Sequence, residues 1–315
     1  MKIAFLFPGQ GSQSVGMGAD LSAKFASAAK VTEEIDQRLG YKLSTFCLYG
    51  PEDVLRKTGI TQPALFAVSV AALKVLNDRG IVPQAVAGHS VGEYAALVAA
   101  GAIDFGEGAS LVQRRGEIMQ RAAEANPGAM AAVLGLEADV VRAACAEAES
   151  TGVGIVDAAN INGAGQVVIS GEQSAVTAAS DLLMQRGAKR VIALPVSGGF
   201  HSRLMASAAS EMKFVIDAAE MSDAKIPIVA NVTAEYEQAA DTIKANLATQ
   251  IDHSVLWESS MQRLLSDGFD TFVEVGSGTV LSGLAKRISK EIAVYNTNDS
   301  AAMEATVAAL SGSAA

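Results

Sequence analysis

The chain has 315 residues, of which half are apolar and 18% are charged, and this composition excludes a disordered chain and fits a soluble globular protein. Its formal net charge of −10 argues against nucleic acid as the main partner, because phosphate binding requires a basic surface. The longest uninterrupted apolar run, 94–103, is about half of the ~20 residues that cross a bilayer, so no membrane partner is expected.

Short apolar strand patterns alternate with longer helical patterns in the first and last thirds of the chain. In chain order we expect strand 3–7, helix 62–78, strand 82–87, helices 91–100 and 111–125, strand 226–231, a long helical stretch 239–267 and strand 271–275. Alternation of this kind predicts an α/β fold with a mainly parallel sheet.

The middle of the chain has a different pattern, β-α-β-β-α-β, which is typical of a ferredoxin-like split βαβ unit. Its expected elements are 129–136, 138–150, 155–160, 166–170, 174–185 and 190–194. Proline and glycine residues flank this unit on both sides and indicate boundaries. We therefore predict a larger α/β domain at 1–125 and 197–300, an inserted subdomain at 126–196, and a tail at 301–315 without an evident site.

The N-terminal residues and the cysteines bear on the cellular location of the protein. Residues 1–8 carry one charge and a very short apolar run, which is typical of a strand rather than of a secretory signal. Cys47 and Cys145 lie in different regions and lack spaced partners, so the sequence predicts neither a disulfide framework nor a metal site. A cytoplasmic location is the expectation that follows.

The segment from Gly88 to Gly92 places Ser90 between two glycines, directly after a predicted strand and before a predicted helix. This is the layout of a nucleophile elbow, in which glycines allow backbone to crowd a strained, exposed serine. The helix that follows points its free N–H groups and positive dipole end at the serine oxygen. A match of five residues also occurs in turns without chemistry, so the hypothesis depends on finding a base.

A serine hydroxyl needs a base to become a good nucleophile, and histidine is the usual one. Of the three histidines, His89 is expected to point away from the elbow and His253 lies in a polar stretch. His201 follows a loop of small residues, just before a predicted helix, and is the candidate base. Asp157 and Asp181 carry no loop signal for a triad acid. We therefore expect a Ser–His dyad whose imidazole N–H is held by a backbone carbonyl.

The glycine-rich loop Gly9–Gln13 after the first strand has two possible uses. Such loops bind phosphate in nucleotide proteins, but this one lacks the lysine of a P-loop and the third glycine of a dinucleotide fingerprint. An oxyanion hole, formed by the backbone N–H groups of Gln10 and Val91, is the better interpretation. The chain is thus expected to need no metal and no bound cofactor.

A series of motifs resembles those of the malonyl-CoA:acyl carrier protein transacylases of bacterial fatty acid synthesis. The motifs are Phe7–Gln13, Thr61–Ala64, Gly88–Gly92, Arg115-Gly116, Asn160–Asn162, Phe200-His201, Glu274–Gly278 and Val280-Leu281. Their order is that of the family, and the series is far more specific than any one motif. The resemblance implies a hydrolase-like α/β domain with a ferredoxin-like insertion. It also implies that malonyl-CoA and acyl carrier protein are the substrates.

The resemblance also implies roles for individual residues. Ser90 would become malonylated, with His201 as its base. Arg115 would hold the free carboxylate of the malonyl group, because a guanidinium can bind a carboxylate through two parallel hydrogen bonds. Without the resemblance, Arg115 would be interpreted as a surface helix residue like its neighbour Arg114.

Three further positions follow from the same resemblance. The backbone carbonyl of Gln250 would orient the histidine, Asn162 would line the site, and Phe200 would accompany selectivity for malonyl. The chain departs from many relatives at Gly199, where they have proline or another residue. Extra backbone freedom at Gly199 is expected to loosen the loop that carries the base.

Acyl carrier proteins are acidic, so docking on this acidic chain requires a local basic face. Two basic pairs are the candidates, Lys189-Arg190 and Lys286-Arg287. Members of the family commonly act as monomers, and the resemblance implies the same here.

Three alternatives stay open at the level of sequence. A polyketide-pathway malonyl acyltransferase would use the same chemistry with another carrier protein. A serine thioesterase or esterase would use the same elbow with water as the acceptor, although the missing triad acid argues against it. A non-catalytic scaffold that binds acyl carriers would have no need of an intact Ser90 and His201.

Overall fold

The computed structural model describes residues 1–196 and 198–311. Residues 197 and 312–315, which include one edge of the predicted large domain and the end of the predicted tail, lie outside the described residues. Within the described part the strands are β1 Ile3–Phe7, β2 Ala85–Gly88, β3 Ala129–Leu134, β4 Val156–Gly163, β5 Gln166–Gly171, β6 Arg190–Ala193, β7 Ile228–Val229, β8 Tyr236–Glu237, β9 Thr271–Glu274 and β10 Ala293–Asn296.

The helices of the described residues lie between and after these strands. They are α1 Ala19–Lys24, α2 Ala26–Leu39, α3 Leu43–Tyr49, α4 Glu52–Leu55, α5 Thr58–Asp78, α6 Gly92–Ala99, α7 Phe105–Ala125, α8 Ala138–Ser150, α9 Gln173–Gln185, α10 Ala206–Ala218, α11 Ala240–Gln250, α12 Trp257–Ser266, α13 Val280–Ile288 and α14 Ser300–Ser311. A short 3₁₀ turn, Arg203–Met205, precedes α10.

The larger sheet has six strands in the order β10-β9-β1-β2-β7-β8. Its neighbours are parallel except for the β7–β8 pair, which is antiparallel. Both faces are covered, because Phe5 of β1 belongs to one apolar cluster and Leu6, on the opposite face, belongs to another. The predicted α/β fold with a mainly parallel sheet is confirmed.

The smaller sheet has four antiparallel strands in the order β4-β5-β3-β6. Together with α8 and α9 it forms the predicted ferredoxin-like unit. One of its faces packs on those helices through residues such as Val133 and Ile169. The other face, which includes Ala132 and Val168, joins the main apolar cluster. The ferredoxin-like unit therefore packs directly against the part of the molecule that holds the larger sheet.

The prediction of one long helical stretch over 239–267 is wrong. Helix α11 ends at Gln250, and α12 begins only at Trp257. The backbone between them has other partners, since the carbonyl of Ile251 accepts the N–H of His201 at 3.0 Å and Val255 pairs with β4. Tertiary contacts therefore interrupt a segment whose local pattern is helical.

Helix α5 has the length and apolar composition of a membrane span, with a mean hydropathy of 1.5 over its most apolar window. It is a core helix of this fold, because 83% of that window is buried inside the structure. The continuous apolar run that the sequence places at 94–103 is shorter and lies in α6 and the turn after it.

The segment interpreted from the sequence as a tail is helical where the structure describes it. Helix α14 begins at Ser300, and its residues Met303 and Leu310 are buried in the main apolar cluster.

Candidate active site

The turn after β2 holds Ser90 at a φ of 53°, a left-handed conformation that is uncommon for a residue with a side chain. The neighbouring glycines are required by close contacts. A Cβ at Gly88 would collide with the backbone of Gly92, and a Cβ at Gly92 would collide with the carbonyl of Phe7. Helix α6 begins immediately after this turn, so its N-terminus lies beside the serine.

The hydroxyl of Ser90 lies 2.7 Å from Nε2 of His201. The other ring nitrogen, Nδ1, lies 2.8 Å from the backbone carbonyl of Gln250. A carbonyl only accepts hydrogen bonds, so Nδ1 carries the proton and Nε2 is free to accept one from the serine. Burial, together with the positive charge of Arg115, lowers the pKa of His201 to about 3. The imidazole is therefore neutral at physiological pH, as a base must be.

The backbone around His201 is fixed on both sides. His201 has a φ of 58°, and its N–H donates to the carbonyl of Ile251 at 3.0 Å. The carbonyl of Gly199 accepts the hydroxyl of Ser202 at 2.6 Å. A Cβ at Gly199 would come within 2.8 Å of the Leu204 side chain, so this glycine is closely packed.

Arg115 extends from α7 and is only 1% exposed. Its guanidinium donates to Oε1 of Gln62 at 2.7 Å, to Oε1 of Gln250 at 2.8 Å and to the hydroxyl of Ser90 at 3.2 Å. Its Nε has no hydrogen-bond partner, and no ion pair of the described residues includes it. Burial lowers the pKa of Arg115, whereas Tyr94 and Glu93 raise it. A guanidinium stays protonated in proteins, so Arg115 is a buried cation that no carboxylate of the described residues contacts directly.

The loop after β1 lies directly against the elbow. The N–H of His89 donates to the carbonyl of Phe7 at 2.9 Å, and a Cβ at Gly9 would collide with the carbonyl of His89. The amides of Gln10 and Val91 donate no hydrogen bond to any residue that the structure describes. Free amides on adjoining turns are what an oxyanion hole requires.

Asn162 and Phe200 lie beside this cluster without joining its hydrogen bonds. Oδ1 of Asn162, on β4, lies 3.0 Å from Nε2 of His89. His89 directly precedes Ser90 in the chain. The ring of Phe200 packs in the main apolar cluster against the backbone of Gly198.

The sequence alone assigns no role to Gln62, Glu93 or Asn231, yet all three are buried beside the dyad. Oδ1 of Asn231 accepts the N–H of Ser90 at 2.7 Å, and its amide donates to the carbonyl of Gly88 at 2.6 Å. These two hydrogen bonds fix the backbone of the elbow. One signal points to it, a polar residue at the carboxyl end of a predicted strand, where the functional loops of a parallel sheet meet.

Comparison with known proteins places the chain in a family. Residues 4–312 match the acyl transferase domain. The chain is 42% identical to the malonyl CoA-acyl carrier protein transacylase of Bacillus subtilis, over 98% of this chain and 97% of that protein. This chain belongs to the malonyl CoA-acyl carrier protein transacylase family.

Two further transacylases extend the comparison. The polyketide biosynthesis malonyl CoA-acyl carrier protein transacylase BaeC of Bacillus velezensis is 46% identical over 92% of this chain and 97% of that protein. The crystal structure of the acyl-carrier-protein-S-malonyltransferase from Bartonella henselae is 41% identical, covers 99% of this chain and 100% of its own, and has a TM-score of 0.95. The family resemblance and the fold class expected from the sequence are confirmed.

Proposed function

We propose that this protein transfers a malonyl group from malonyl-CoA to the pantetheine thiol of acyl carrier protein in fatty acid synthesis, through an acyl-enzyme on Ser90. The observation that carries this proposal is the buried guanidinium of Arg115, which lies 3.2 Å from the Ser90 hydroxyl and, within the described part of the chain, has no carboxylate in direct contact. An acyl group with its own carboxylate would supply that contact.

The first half-reaction forms the acyl-enzyme. Nε2 of His201 takes the proton of Ser90 as its oxygen attacks the thioester carbon, and the resulting oxyanion accepts hydrogen bonds from the amides of Gln10 and Val91. The C–S bond then breaks, and His201 returns the proton to the CoA thiolate. In the second half-reaction the carrier thiol gives its proton to His201 and attacks the malonyl ester. The ester C–O bond then breaks, and the Ser90 oxygen takes the proton back from His201.

The same proposal assigns supporting roles to three residues. Gln250 orients the base through its carbonyl, which is 2.8 Å from Nδ1 of His201. Asn162 lines the acyl pocket beside the elbow, in line with its hydrogen bond to His89. Phe200, next to the base in the chain, bounds the pocket and excludes bulkier acyl groups.

Intact-protein mass after brief incubation with malonyl-CoA or acetyl-CoA tests this function. The wild type should gain a malonyl-sized mass that Ser90→Ala abolishes, and acetyl loading should be much weaker. In the wild type, an acetyl group leaves the buried arginine without the carboxylate that malonyl provides, at a cost of roughly 2–5 kcal/mol. Arg115→Ala removes this difference and should lose the preference. Arg114→Ala, at the exposed neighbouring position, is the control. Steady release of CoA without an adduct would instead indicate a thioesterase, and neither signal would indicate a scaffold.

A polyketide role is the second candidate, because BaeC, a polyketide transacylase, is 46% identical. The two roles differ in the carrier protein and not in the chemistry at Ser90. Competition between a fatty acid carrier and a polyketide carrier for the malonylated enzyme separates them, and we expect the fatty acid carrier to be favoured.

We further propose that the carrier docks on Lys189, Arg190, Lys286 and Arg287, all of which are exposed. Arg287 donates to Oε1 of Gln166 at 2.9 Å. Gln166 and Arg190 both pair with Leu134, from opposite sides, so their backbones lie about 10 Å apart. Both basic pairs therefore occupy one rim of the smaller sheet.

The remaining assignments are part of the same proposal. We take 126–196 as a subdomain inserted into an α/β domain formed by 1–125 and 197–300. The working form is a monomer, and the location is cytoplasmic, where malonyl-CoA and the carrier would meet the enzyme. Size-exclusion chromatography with light scattering tests the monomer.

A further inference from the structure

Two carboxyl groups are buried behind the elbow. Glu93, in the first turn of α6, is 1% exposed, and Glu237, on β8, is 3% exposed. No ion pair of the described residues includes either of them. Burial raises the pKa of both groups, and the charge of Glu237 raises that of Glu93 further. Two such groups are costly to retain in a protein interior, which calls for an explanation.

The Glu93 carboxyl accepts two hydrogen bonds from groups that hold the active site. One oxygen accepts the backbone N–H of Asn231 at 3.1 Å, and the other accepts the side-chain amide of Gln250. Both oxygens therefore face donors. In either protonation state a carboxyl group places an oxygen opposite each donor, whereas a carboxamide would set its NH₂ group against one of them.

The side chain of Gln250 is used at both ends. Its Oε1 accepts a hydrogen bond from Arg115 at 2.8 Å, while its Nε2 donates to Glu93 and to the backbone carbonyl of Ser90, the latter at 3.1 Å. If this amide were turned by 180°, its NH₂ group would face the guanidinium, donor against donor. The acceptor oxygen of Glu93 thus selects the orientation that Arg115 needs.

We propose that Glu93 is a specificity-determining positioning residue, which acts through the side chain of Gln250 to hold Arg115 where the acyl carboxylate binds. This inference rests on the proposed function, in which Arg115 recognises malonyl. Glu93 itself touches no substrate. Its main effect falls on the choice between acyl groups that carry a carboxylate and those that do not, and its contact with the backbone of Asn231 adds a smaller effect on both.

Glu237 supplies a matched control. One of its oxygens accepts the amide of Asn246 at 2.6 Å, and the other has no hydrogen-bond partner. Glu237→Gln removes a buried carboxyl from the same pair, yet it leaves the contacts among Glu93, Gln250 and Arg115 in place. It therefore separates loss of a buried carboxyl group from loss of the amide orientation.

The test compares the rates of malonyl and acetyl loading on Ser90 in E93Q, E237Q and the wild type, with thermal unfolding as a check on folding. In E93Q we expect malonyl loading to fall roughly ten- to hundredfold, as for a misplaced binding group, with a much smaller fall in acetyl loading. E237Q should keep the wild-type ratio. E93D, which retains two acceptor oxygens on a shorter side chain, should lie between the wild type and E93Q.

Three results would overturn the inference: an unchanged malonyl-to-acetyl ratio in folded E93Q, an equal fall for both acyl groups, or the same loss of preference in E237Q. If E93Q does not fold, a full malonyl preference in E93D overturns it. Failure of the proposed function is distinguishable, because Arg115→Ala would then keep the wild-type ratio. If Arg115→Ala loses the preference and E93Q retains it, only the role of Glu93 is wrong.

Discussion

At the scale of single residues, the site combines a neutral base with an unpaired cation. Among the described residues, Arg115 is the second largest of the fully buried side chains, after Trp257. Its neighbours within hydrogen-bonding distance are amides and a hydroxyl rather than a carboxylate. Its charge also lowers the pKa of His201. The group that we propose selects the substrate thereby helps to keep the imidazole unprotonated.

The depressed pKa of His201 makes a prediction about stability. A histidine that is protonated more easily in the unfolded chain stabilises the fold fully above about pH 6.5, and this contribution is lost as the pH falls toward 3. The wild type should lose roughly 2 kcal/mol relative to His201→Gln between pH 7 and pH 5. Urea unfolding of both proteins at the two pH values measures this, with the exposed His253→Gln as control. A constant difference would contradict a buried neutral imidazole.

Residue roles could be predicted only where the local sequence carries them. Ser90 and His201 are visible because glycines and small residues surround them. Arg115 has the same local pattern as the exposed Arg114, so only the family resemblance distinguishes it. The role that we propose for Glu93 could not be predicted, because its contact with Gln250 joins positions 157 residues apart and depends on the complete fold.

At the scale of elements, the carboxyl ends of parallel strands bring the site together. Strand β1 leads to the loop of Gln10, β2 leads to Ser90, and β7 leads to Asn231. The hydrogen bonds of Asn231 join the third of these ends to the second. The strained turn at Ser90 is thus held by a neighbouring strand as well as by its own glycines.

Asn231→Ala should therefore slow loading of malonyl and acetyl groups alike, by roughly ten- to hundredfold, because the serine is displaced. The variant should also be less stable by about 1–3 kcal/mol, because the amide of Ser90 and the carbonyl of Gly88 lose their buried partner. Rapid-quench acylation and thermal unfolding measure the two effects, with the exposed Asn126→Ala as control. Wild-type loading rates in Asn231→Ala would show that the turn holds Ser90 unaided.

The elements themselves could be predicted to different degrees. Helix α8 has the predicted bounds, Ala138–Ser150, because its apolar periodicity continues to both ends. The break after Gln250 could not be predicted from local pattern. At the end of α11 the carbonyl of Gln250 accepts Nδ1–H of His201, and the carbonyl of Ile251 accepts its backbone N–H, so both carbonyls have partners outside the helix. Apolar periodicity thus does not predict a helix end whose carbonyls bind an active-site residue.

At the scale of the whole molecule, an acidic enzyme must attract an acidic partner. Charge reversal at Lys189 and Arg190, or at Lys286 and Arg287, should raise the apparent KM for carrier protein severalfold and leave the KM for malonyl-CoA unchanged. Added salt should weaken carrier binding to the wild type more than to the variants, because screening acts on the charges that remain. Reversal of Lys74 and Lys213, on other helices, is the control. A rise in both KM values together would contradict docking on this rim.

The backbone carbonyl that holds the imidazole has a consequence for the kind of acyl group the pocket admits. A hydrolase with a full triad keeps an aspartate at this point, and two like charges about 8 Å apart, across the imidazole, repel by about 2 kcal/mol at an effective dielectric constant of 20. A thioester that carries a free carboxylate at its other end, as malonyl-CoA does, would be repelled by that aspartate. Because Gln250 offers only a neutral carbonyl to His201, the pocket imposes no such barrier, and an anion can enter beside the nucleophile.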